Sequence, residues 1–168
     1  MTIVASPPPT KVQRLLRRHL RELAQVSASV VPLGEVQIAP GLAVYEADLS
    51  PVAGEPRPIG WRHIVLTKDG PIWADVSRDG VEGIFAGPQV VSLIEAARMA
   101  EASGGAGEAR ILIAPVLDAG ALWIAGDEDQ FWAFSPEPAP LEQTGAALLA
   151  GWAADAGALA AESDRALD

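Results

Sequence analysis

The stretch GWRHIVLTKDGPIWADVS, residues 60–77, constrains the fold more than any other part of the chain. Two runs of β-branched and aromatic residues, each too short for a helix, flank Lys68-Asp69-Gly70, which is turn chemistry. Such a pattern predicts an antiparallel hairpin. ALWIA (121–125) and QFWAFS (130–135) predict a second one around Gly126-Asp127-Glu128-Asp129. Hairpins joined by short turns require an antiparallel sheet, and the helices of the chain must cover it.

Three helices are predicted. The first runs from Thr10, a suitable N-cap, to about Val26, with Val12, Leu15, Leu16, Leu20, Leu23 and Ala24 at helical spacing and basic residues on the other side. The second opens at Gly87-Pro88, where proline suits a first turn, and ends near Ala102 before the glycines of SGGAGE. The third is alanine-rich and spans about Leu141 to Ala160. Further strands are expected near 42–49 and at ARILIAPV (109–116), and the pattern admits a short one at 35–39. The expected fold is α+β, an antiparallel sheet of about five to six strands with helices packed on it, in the order α-β-β-β-α-β-β-β-α. Residues 1–10, with SPPPT, read as a flexible arm, 11–162 as a single domain and 163–168 as a frayed tail.

Turn geometry decides which side chains meet. A three-residue turn, Lys68-Asp69-Gly70, pairs Thr67 with Pro71 and puts Trp61, His63, Val65, Trp73 and Asp75 on one face. His63 then stands opposite Asp75. A two-residue loop at Asp69-Gly70 would set Asp75 among Ile64 and Leu66, where an unpaired carboxylate is costly. In the second hairpin a four-residue loop sets Trp123 opposite Trp132, with apolar residues on both faces. Both faces then need cover, which a helix, a ligand or a second subunit can supply.

The chain has no cysteine, which excludes disulfides, thiolate catalysis and cysteine-ligated metals. Its net charge of −10 opposes nucleic-acid binding, although residues 1–28 carry Lys11, Arg14, Arg17, Arg18 and Arg21 against Glu22 alone. No apolar run approaches the roughly 20 residues of a membrane span, and MTIVASPPPTKVQ does not read as a signal peptide, so a cytoplasmic protein without membrane partners is expected. Neither G-x-S-x-G nor H-E-x-x-H occurs. The glycines of 103–108 follow a helix, unlike a phosphate loop, and Asp127, Glu128 and Asp129 lack EF-hand spacing. No cofactor or metal is expected.

The element order is loosely similar to that of small acidic secretion chaperones, α+β homodimers that hold an extended partner segment, and is compatible with roadblock- or profilin-like modules. Such likeness concerns fold alone. From the residues, the leading expectation is a non-enzymatic protein-binding or adaptor module. It would be homodimeric or bind another protein, with Trp61, Trp73, Trp123 and Trp132 as an interaction face. The alternative is a small-ligand-binding protein or enzyme with a site around His63 and Asp75.

Overall fold

A computed structural model describes residues 3–26, 37–49, 54–135 and 142–165. These form β1 (Ile3–Ala5), α1 (Thr10–Val26), β2 (Gln37–Ile38), β3 (Leu42–Glu46), β4 (Arg57–Thr67), β5 (Gly70–Val76), β6 (Val81–Ala86) and α2 (Pro88–Ala102). There follow β7 (Gly107–Ala114), a 3-10 turn at Pro115–Leu117, β8 (Ala119–Ala125), β9 (Gln130–Ser135), β10 (Glu142–Thr144) and α3 (Gly145–Arg165). The fold is α+β with a large, mostly antiparallel sheet. Its strand order is β10-β9-β8-β7-β3-β4-β5-β6, with β1 beside β7 and β2 beside β4.

Among the described residues ten strands replace the expected five to six. Two of the additions, β1 and β10, have only three residues each, too few to show a period. β6 lies in a glycine-flanked stretch where no strand is expected, and its Gly83 makes room for the Phe85 ring. Ile3–Ala5, expected in a free arm, pairs with β7, and α3 begins and ends later than expected, at Gly145 and Arg165. The expected strand at 35–39 is β2 in its described part, and the tail beyond Arg165 lies outside the described residues.

Two antiparallel meanders, β3 to β6 and β7 to β10, meet along one parallel contact, β3 against β7. A helix precedes each meander. α1 lays Val12, Leu16 and Leu20, one stripe at i, i+4 and i+8, on Val65, Ala74 and Val76 of β4 and β5. α2 covers the opposite face, burying Val90, Leu93, Ala96 and Ala100 against Ile111, Leu122, Ile124, Trp132 and Phe134. α3 returns to the α1 face and sets Leu148 and Trp152 on Leu112, Ala121 and Phe131. α2 stops where Gly105 N–H reaches the Ala100 carbonyl at 3.0 Å, with Gly104 at φ +78°. No helix among the described residues is long and apolar enough to cross a membrane.

One edge of the central contact is unusual. β1 and β3 lie end to end beside β7, which pairs Ile3–Ala5 through Gly107–Ala109 and Ala43–Glu46 through Arg110–Ile113. β2 and β3 lie end to end beside β4 in the same way. Between β7 and β4 there is thus one strand at the β3 end and two at the other. Strands sit about 4.8 Å apart, so that interval must widen from about 10 Å to at least 14 Å, and the sheet splits between β1 and β2.

Both hairpin registers differ by one residue from expectation. Thr67 pairs with Gly70 across a two-residue turn, Lys68-Asp69, so Arg62 faces Asp75, His63 faces Ala74 and Ile64 faces Trp73. The Thr67 hydroxyl closes this turn, donating to the Gly70 carbonyl at 2.7 Å and accepting from Asp69 N–H at 3.2 Å. Gly70 keeps the expected positive φ, +119°, but as a strand residue. In the second hairpin Trp123 faces Phe131 and Leu122 faces Trp132.

Gly107, at φ +151°, enters β7 where a Cβ would run into the Ala125 carbonyl. Gly107→Ala should therefore destabilise by about 1–3 kcal/mol in urea denaturation. Gly151→Ala, in open space on α3, should be neutral or stabilising by up to about 1 kcal/mol. Equal effects at the two positions would contradict this local geometry.

Candidate functional site

The six residues singled out from the sequence divide between the two faces of the sheet. Trp61 and His63 lie on the α1 face of β4, whereas Trp73 and Asp75 lie on the α2 face of β5. His63 and Asp75 therefore form no dyad. Asp75 belongs instead to Arg62, its cross-strand neighbour. Arg62 Nε and Nη2 donate to Asp75 Oδ1 and Oδ2, each at 2.7 Å. The guanidinium lies 3.9 Å from the Trp73 ring centroid, and its side chain is only 8% exposed. Two parallel bonds and a stacked aromatic face hold this charge where a lysine would not serve.

Trp123 and Trp132 are separated as well. Trp132 is 1% exposed on the α2 face and belongs to the core. Trp123 is half-buried on the α3 face, stacked on Phe131 at 5.7 Å and edge-on to Tyr45 at 5.4 Å, with the Arg110 guanidinium 4.8 Å away. Glu108 pairs with that arginine at 2.5 Å, and hydrogen bonds from Ser6 and then Arg110 hold its carboxyl below the usual carboxylate range.

The split in the sheet holds the candidate site. A pocket of about 420 Å³ opens there between two walls. Ala5, Pro7 and Pro8 with Gln13, Leu16 and Arg17 of α1 form one wall, and Ile38–Gly41 form the other. His63 completes the lining, at 2% exposure. Position 63 faces the connection between β2 and β3, where Ala39 N–H donates to the Ile64 carbonyl at 2.8 Å. His63 Nδ1 lies 3.3 Å from the Ala39 carbonyl oxygen, which can only accept, so Nδ1 carries the proton. Burial pushes the His63 pKa below 6.5, and the bond to Ala39 offsets this only in part. The ring is neutral, and Nε2 is a buried acceptor without a partner among the described residues. Gly41 lies against it, where a Cβ would stand 2.6 Å from both Cε1 and Nε2.

A second, smaller pocket of about 280 Å³ lies on the α2 face, lined by Arg62, Trp73, Phe85, Gln89, Asp118 and Ser135 among others. No group of three or more His, Asp or Glu that could hold a metal stands among the described residues. Comparison with protein-family models, curated proteins and solved structures finds no match. The outline likeness to secretion chaperones, roadblock and profilin modules therefore has no structural match behind it.

Two outcomes follow from these environments. Asp75→Ala strands the Arg62 charge and should cost about 3 kcal/mol, most of it recovered in Arg62→Met/Asp75→Ala; a loss below about 1 kcal/mol in urea denaturation would mark the pair as a surface one. His63, neutral when folded and with a lowered pKa, binds its proton more readily in the unfolded chain. Its contribution is present above the unfolded value of 6.5 and is lost as pH falls through 6.5 towards the folded value. His63→Phe should remove that part of the acid-side loss of stability. Identical pH profiles for both proteins would refute a buried neutral histidine.

Proposed function

We propose that this protein is a non-enzymatic binding module that holds a small, mostly apolar ligand in the pocket at the sheet split. The observation that carries the reading is the composition of the lining. Among the described residues it contains one buried base, His63, and one exposed cation, Arg17, but no hydroxyl, thiol or carboxylate side chain. General acid–base or covalent chemistry needs a nucleophile or a second titratable partner, and the lining offers none. Recognition needs less: apolar walls and a few placed polar atoms. An unpartnered buried acceptor costs about 1–3 kcal/mol, which a ligand donor would recover.

Two other occupants fit less well. An inserted β-strand would use the open edges of β1 and β2, but these are two or three residues long and run into Pro7, Pro8 and Pro40, which lack N–H groups. A protein partner on a tryptophan face would need area that Trp73 and Trp132 have already buried within the chain, at 7% and 1% exposure.

Titration with single-ring probes (toluene, p-cresol, indole) tests the reading. One-to-one saturable binding is expected, with Kd on the order of 0.1–1 mM for so few atoms. The amide signals of Ala39 and Gly41 and the ring nitrogens of His63 should move together. Gly41→Ala, which displaces the imidazole, should weaken p-cresol at least several-fold. No binding by any probe, or binding that moves only distant signals, would overturn it.

A further inference from the structure

We infer that the ligand of this pocket is an apolar ring with a hydrogen-bond donor at one end and an anionic group at the other. This rests on the binding reading above and adds the chemical class. The donor end follows from the tautomer of His63. Its Nδ1 proton is committed to the Ala39 carbonyl at 3.3 Å, and the neutral ring leaves Nε2 as acceptor only. A hydroxyl or N–H satisfies that nitrogen. An ether or carbonyl oxygen in the same place sets one lone pair against another and leaves the buried acceptor unpaired.

The body of the ligand is apolar because Leu16, Ile38 and Pro8 line the same pocket as His63 and Arg17. The Gln13 amide, the other polar group in the α1 wall, already donates to the Pro8 carbonyl at 3.2 Å and braces the wall.

The anionic end follows from Arg17. This residue lines the pocket from α1 yet is exposed, and among the described residues it makes no ion pair, whereas its neighbour Arg18 reaches Glu22 at 3.8 Å. It also belongs to the basic segment, where Lys11, Arg14, Arg17, Arg18 and Arg21 face one acid in a chain of net charge −10. A protein that repels anions over most of its surface thus presents a local positive field at the mouth of an apolar pocket. The charge asymmetry, without a role in the fold itself, acquires one in guiding a small anion.

Three probes separate the two ends. 4-Hydroxyphenylacetate carries donor and carboxylate, 4-methoxyphenylacetate lacks the donor, and p-cresol lacks the carboxylate. Calorimetric titration of the full chain at low salt should give 4-hydroxyphenylacetate the tightest binding. Loss of the donor should weaken it at least tenfold, and loss of the carboxylate several-fold. Arg17→Gln, on an exposed side chain, should weaken 4-hydroxyphenylacetate several-fold and p-cresol much less, with an unchanged melting temperature as the control for folding. Equal affinity for the methoxy and hydroxy compounds would overturn the donor assignment, and an unchanged 4-hydroxyphenylacetate affinity in Arg17→Gln would overturn the anionic one. In both cases p-cresol binding that moves His63 would leave the pocket reading standing. If no probe binds, both fall.

Discussion

The parallel contact between β3 and β7 is the constraint on which the rest of the molecule depends. It joins two antiparallel meanders into one sheet, and it forces α2 to cross from the outer strand β6 back to the centre. It also sets the interval between β7 and β4 at one strand wide. β1 and β2 enter that interval from different parts of the chain and each pairs on its outer side. Two strands cannot fit where one does, so the sheet opens, and α1 closes the opening from one face. The pocket is a geometric consequence of topology, and the prolines along its walls keep the exposed edges from pairing.

That origin explains how much could be read from the residues. α1 and α2 have the expected bounds, Thr10–Val26 and Pro88–Ala102, because amphipathic spacing, a proline at the first turn and glycines past the end are local signals. Both hairpins exist for the same kind of reason. Their registers do not follow, because the sheet is covered on both faces there, and apolar alternation then fails to say which side is inside. In the first hairpin the deciding contact is the Thr67 hydroxyl, which places the turn at Lys68-Asp69 and moves glycine out of it. One residue of slip exchanged His63 for Arg62 as the partner of Asp75. In the second hairpin the same slip parted Trp123 from Trp132.

The pocket itself left no local trace. Its lining comes from residues 5–17, 38–41 and 63, brought together by pairings between distant segments. His63 was visible as a rare residue type in a strand, and the basic helix as a charge imbalance. That the two share a cavity required knowing that α1 lies on β4. The tryptophans were a stronger signal in sequence than they are in structure: Trp73 serves to seat Arg62, and Trp132 fills the core under α2.

The split in the sheet leaves a neutral histidine with one nitrogen committed to the Ala39 carbonyl and the other a buried acceptor. A long-range proton–nitrogen NMR spectrum of the imidazole near neutral pH tests it most directly. The expected result is a neutral His63 protonated at Nδ1, with Nε2 bare, the arrangement that the Ala39 carbonyl imposes. A His63 protonated at Nε2, or an imidazolium at neutral pH, would contradict it, because the pocket would then present a donor to its ligand.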